Sequence, residues 1–172
     1  ILATGSGSVG GSVSINTGSG VGASGSSGAF EVKTGTGAED SGAIRFTTGA
    51  ASTGQAGGFA VELGHSQSTQ SAATISMQAG SNTVGDGGSV MLQSGTSSTS
   101  SSGEVLVSSS ASPASGAIKV TTGDATAEES GDVRVATGAA LMGHSGSVNV
   151  VTGDASTAGD ISLTVGTSSQ GE

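Results

Sequence analysis

The amino-acid sequence predicts an all-β protein, a narrow parallel β-solenoid of about 12 rungs with 13–17 residues per coil and no evident caps. Three observations predict it. One eight-residue pattern recurs along the whole chain, apolar residues alternate within its copies, and the connectors vary in length while the pattern does not. Residues 1–172 are therefore predicted to form a single solenoid array.

The repeated block runs Gly, any residue, apolar, any, apolar, any, a threonine-like residue, Gly. Eleven copies keep this pattern over eight residues without an insertion, for example GSVSINTG from Gly11, GAFEVKTG from Gly28 and GAIKVTTG from Gly116; one copy begins with Ala73 and one ends with Ser110 in place of glycine. Invariant length is typical of an element that pairs with its neighbours, and variable length is typical of loops. Gly, Ser and Thr make up 87 of the 172 residues, which alone would suggest a disordered linker. A flexible linker places no structural constraint on the length or the alternation of such blocks.

The two apolar positions and the threonine-like position of a block share one parity, so they would face the same side of a strand. Six blocks with threonine define the predicted core ladder: Val13, Ile15, Thr17, Phe30, Val32, Thr34, Ile44, Phe46, Thr48, Ile118, Val120, Thr122, Val133, Val135, Thr137, Val148, Val150 and Thr152. Phe59, in the block after Phe46, would help to fill a wider stretch of core. A small residue stands two places after each closing glycine, as at Ser66 and Asn82, and is predicted to face inward from the opposite wall.

An antiparallel array of hairpins built from the same strands is the alternative fold. It fits less well, because parallel stacking places like residues on like and every block carries the same motif. The chain opens with ILATG and closes with Gly171 and Glu172, each resembling part of a block. We therefore expect either a segment of a longer repeat protein or a unit that docks head to tail on itself.

Composition excludes several classes of function. Four Lys and Arg against 13 Asp and Glu give a net charge of −9, which argues against binding nucleic acid or anionic membrane surfaces. No apolar run approaches the roughly 20 residues of a membrane-spanning helix. Cysteine is absent, which removes thiol chemistry. With no clustered carboxylate pair or basic groove, the sequence predicts a protein that is not an enzyme.

The acidic residues lie mostly in connectors or at block starts, where they predict a solvated surface and no cofactor. Calcium is the alternative, because loop carboxylates suit this ion, and the candidates are Asp124, Glu128, Glu129 and Asp154. The nonapeptide calcium repeat is absent. Glu31 and Arg45 stand one rung apart in one outward column and are predicted to form a surface ion pair.

The segments SGAIKVTTG, SGDVRVATG and SGSVNVVTG resemble the tandem repeats of very large Gly/Ser/Thr-rich secreted proteins of diatoms and related algae. This resemblance implies an extracellular cell-surface or wall protein, and it carries over no catalytic residues. The leading hypothesis is a structural component of an extracellular fibre, cell wall or surface appendage. An adhesin-like or ice- or glycan-binding module is the alternative, with polysaccharide or other surface proteins as further partners.

Overall fold

The computed structural model describes residues 2–22 and 24–168. Within these ranges the chain contains neither a helix nor a β-strand, so the predicted parallel β-solenoid is wrong. The chain divides into two units, Ile1–Ser89 and Val90–Glu172. The prediction of a single array over residues 1–172 stays a prediction.

The bends of the described chain all lie outside the eight-residue blocks. They fall at residues 7–9, 22, 24, 38–39, 52–54, 68–70, 83–85, 98–100, 113–114, 126–128, 141–143 and 156–157. Two of them contain a glycine in the left-handed region, Gly22 with φ 85° and Gly143 with φ 93°. The sequence pattern thus divides the chain into blocks and turning connectors at the places where the structure does.

Several connectors are closed at their base by one backbone hydrogen bond. The N–H of the glycine that opens a block donates to the carbonyl oxygen of the glycine that closed the preceding block. In the first unit this bond joins Gly28 to Gly18 at 3.2 Å and Gly88 to Gly80 at 2.9 Å, and in the second unit Gly103 to Gly95 at 3.0 Å. We call this junction the neck of the connector. It brings both ends of one connector together.

The threonine-like residue of one block lies against the opening glycine of the next. A Cβ atom placed on Gly28 would be 3.5 Å from Thr17 Cβ, and one on Gly146 would be 3.4 Å from Thr137 Cγ2. Gly42 and Thr34 stand in the same relation, at 3.5 Å. These threonines therefore contact a glycine across the connector, instead of stacking on one another in the predicted column.

None of the residues in the described ranges is buried, and the predicted core ladder is exposed. The correction applies to Val13, Ile15, Thr17, Phe30, Val32, Thr34, Ile44, Phe46, Thr48, Ile118, Val120, Thr122, Val133, Val135, Thr137, Val148, Val150 and Thr152. Ala79 and Ser94 alone among the described residues are half-buried, and each occupies the threonine-like position beside a closed neck. The necks join the ends of one connector and do not stack one block on another, so the block faces of the described ranges stay exposed.

The small residue two places after a closing glycine begins a turn. The side-chain oxygens of Ser66, Asn82 and Ser97 each accept a backbone N–H from two residues further on, at 3.3, 3.0 and 3.3 Å. Where this position is glycine, the backbone comes closer still, and a Cβ on Gly37 would collide with the carbonyl of Asp40. The prediction that this position faces inward is therefore wrong. Its side-chain oxygen accepts a hydrogen bond within the connector, or a glycine there lets the connector backbone come close to itself.

Candidate functional site

Two of the three phenylalanines form an exposed aromatic pair in the first unit. The rings of Phe46 and Phe59 are stacked, with centroids 5.8 Å apart and planes inclined by 25°. Their side chains are 72% and 69% exposed. Together with Arg45, Thr47 and Thr48 they line an open depression of about 520 Å³. We call these five residues the aromatic depression.

The aromatic pair arises because the chain folds back between two consecutive blocks. Phe46 is the second apolar residue of its block and Phe59 is the first apolar residue of the next, with one connector between them. In the predicted parallel stack these two positions belong to different columns, so the sequence places both rings in a widened core and does not predict that they pair, exposed, across the connector. The signal that could have found them is the presence of two bulky rings on either side of a short connector. Phe30 takes no part in the pair.

The aromatic depression combines apolar ring faces with hydrogen-bonding groups. A phenyl ring carries partial negative charge on its face, which attracts polarised C–H groups and cations. Thr47 and Thr48 supply hydroxyls that donate and accept, and the Arg45 guanidinium only donates. An apolar surface with a few polar groups at its edge is the common composition of a small-ligand site.

The acidic connector of the second unit forms another depression, of about 500 Å³. Two calcium candidates, Asp124 and Glu128, line it together with Thr122 and Ser130. The other two candidates, Glu129 and Asp154, are exposed and are not part of its lining. In residues 2–22 and 24–168 no three Asp, Glu or His side chains are grouped closely enough to hold a metal ion. Calcium needs six to eight oxygens, so two carboxylates make a poor site.

The predicted ion pair between Glu31 and Arg45 is replaced by a local one. Lys33 Nζ lies 3.2 Å from Glu31 Oε1, and the two side chains are 76% and 72% exposed. Residues two apart lie on one side of an extended chain, so Lys33 reaches Glu31 without any contact between blocks. A pair this exposed contributes less than about 1 kcal/mol. Arg45 instead lines the aromatic depression.

Across the described ranges, no helix is long and apolar enough to cross a membrane. Comparison of the chain with protein-family models, with curated proteins and with solved structures found no match.

Proposed function

We propose that this chain is a structural component of an extracellular fibre, cell wall or surface appendage. One observation carries the proposal: eleven blocks of equal length each present a pair of apolar side chains, and these pairs are exposed. A surface repeated along the whole chain suits association along a length better than recognition at one point. The exposed apolar side chains of each block are available to contact a partner.

The connectors support a role in a hydrated matrix. They are rich in serine, threonine and acidic residues, and they form closed loops at several necks. Hydroxyl groups donate and accept hydrogen bonds with polysaccharide as readily as with water. The net charge of −9 keeps such a surface hydrated.

Immunolabelling of source cells tests this proposal, using an antibody raised against the chain. We expect label on intact cells before permeabilisation, concentrated on walls or on fibres seen by electron microscopy. Label that appears only after permeabilisation would contradict an extracellular role. An antibody against a cytoplasmic protein of the same cells is the control for intactness.

A second function, binding of glycans, is favoured by the aromatic depression. The C–H groups on one face of a sugar ring can lie against Phe46 or Phe59, and the sugar hydroxyls can bond to Thr47, Thr48 and Arg45. This would make the chain adhesive as well as structural. It requires only the first unit, in which all five residues lie.

Affinity electrophoresis through gels containing soluble polysaccharides tests glycan binding. We expect at least one polysaccharide to retard the chain, and the double variant Phe46→Ala, Phe59→Ala to run unretarded. Phe30→Ala is the matched control, because Phe30 is also exposed, at 64%, and lies outside the pair. Equal retardation of the double variant and the parent chain would exclude the aromatic depression as the binding site.

A further inference from the structure

The chain exposes far more surface than a folded monomer of its size. Its accessible area is 17403 Å². A folded monomeric protein of 15.9 kDa exposes about 7,400 Å², and its unfolded chain about 23,000 Å². The excess over the folded value is about 10,000 Å², several times the roughly 1,600 Å² that a specific protein–protein interface buries. The chain therefore has ample unburied surface for a partner.

The Gly, Ser and Thr content is that of a disordered linker, but the hydropathy and the charge do not match a chain that stays unfolded by default. Apolar residues make up 33% of the sequence, charged residues only 10%, and mean hydropathy is +0.08. Disordered chains combine low hydrophobicity with high net charge, and they lack apolar residues to bury. Here every block carries two apolar residues at fixed positions, such as Val148 and Val150, exposed by 55% and 67%. These positions have the pattern of a contact face, and in the described ranges their side chains are exposed.

We infer that the partner which covers these apolar pairs is a second copy of the same chain, lying alongside through the blocks. This inference rests on the proposed structural role, because it names the partner that such a role requires. A second copy offers equal blocks with apolar residues at the same two positions, so a contact made at one block can be repeated at the next. An unrelated partner would need to reproduce this spacing.

The distribution of charge is compatible with this contact. The central outward positions of most blocks are uncharged or basic, as at Lys119, Arg134 and Asn149, whereas many acidic residues lie in connectors. Two chains of net charge −9 therefore repel each other mainly through their connectors, where water and salt screen the repulsion. Block faces can approach while the acidic connectors remain in solvent.

Sedimentation velocity over a roughly hundredfold range of concentration tests the inference. Two matched double variants share one block and add the same charge. Val148→Asp with Val150→Asp alters the apolar pair, and Ser147→Asp with Asn149→Asp alters the alternate positions. We expect the parent chain to associate with rising concentration. The apolar variant should need at least about tenfold more protein, and the control less than about threefold more.

Three results would overturn the inference. One is a parent chain that sediments as a monomer at every concentration, whether its circular dichroism indicates a packed or an unfolded chain. Another is equal weakening of association by both variants, which would assign the effect to charge alone. The third is association that neither variant weakens. Cell-surface labelling is independent of all three, so failure of self-association and failure of an extracellular role can be told apart.

Discussion

The N–H of Gly88 donates a 2.9 Å hydrogen bond to the carbonyl oxygen of Gly80, which closes the connector between two successive blocks. Ala79, directly before Gly80, is half-buried at this junction. A side chain on Gly88 would meet Gly80 N at 3.1 Å and Ala79 Cβ at 3.3 Å. The opening glycine is thus required by close approach of the backbone and not by an unusual φ angle.

Substitution of Gly88 by alanine should open this neck. The added methyl group would press on Gly80 and Ala79, so we expect the amide of residue 88 to exchange with solvent several-fold faster, measured by hydrogen exchange with NMR detection. Gly87→Ala is the control, since a Cβ at Gly87 meets nothing nearer than 3.9 Å. Unchanged exchange at residue 88 in Gly88→Ala would contradict the role given to the neck.

Asn82 should prove to be the residue that starts the turn within the same connector. Its Oδ1 accepts the N–H of Val84 at 3.0 Å. We expect Asn82→Ala to lose this bond, worth about 1 kcal/mol, and to speed amide exchange at Val84 about fivefold. Asn82→Asp keeps an acceptor oxygen at the same place and should retain the protection. Loss of protection in both variants would mean that the side-chain oxygen is not what orders the turn.

Gly143 should resist replacement because of its backbone conformation. Its φ of 93° is one that residues with a side chain seldom adopt, and nothing crowds its Cβ position. We expect Gly143→Ala to cost about 1 kcal/mol locally and to shift the backbone NMR signals of residues 141–143. Gly138→Ala, at an equally open position without a positive φ, should leave them in place. Matching spectra for Gly143→Ala and the parent chain would refute the assigned conformation.

Calcium should bind only weakly to the acidic connector of the second unit. Asp124 and Glu128 line one depression, but two carboxylates fall short of the ligand set that the ion needs. We expect isothermal titration calorimetry to give a dissociation constant weaker than about 1 mM, and the double variant Asp124→Asn, Glu128→Gln to bind calcium more weakly still. Saturable binding at micromolar calcium that this variant abolishes would establish a specific site.

The sequence separated the blocks from the connectors better than it predicted the partners of the blocks. Gly18 and Gly28 mark the two ends of a connector, where their backbones are hydrogen-bonded to each other, and the bends lie between them. The alternation of Val13 and Ile15 shows which side chains share a face, but it carries no information about what covers that face. Stacking one block on the next would close a loop of 13–17 residues. A neck closes a shorter loop, which costs less conformational entropy.

The aromatic pair could not be predicted for a related reason. Contact between Phe46 and Phe59 depends on the path of the connector between them, and the small residues there allow many paths. The candidate site is thus a property of a loop, whereas the alternating pattern concerns the blocks alone. The position shared by Asn82 and Ser97 recurs in the sequence as a small residue, but its size alone does not show that its side-chain oxygen accepts a backbone N–H.

The necks also give the chain a reserve of length under tension. When the ends of the chain are pulled apart, the single hydrogen bond between Gly80 and Gly88 carries load before the covalent backbone of the connector does. Its rupture releases the seven enclosed residues, about 25 Å of contour at full extension. The bond can re-form when the force falls, because both glycines stay on one chain. A chain with such loops absorbs energy in small reversible steps as individual necks open and close.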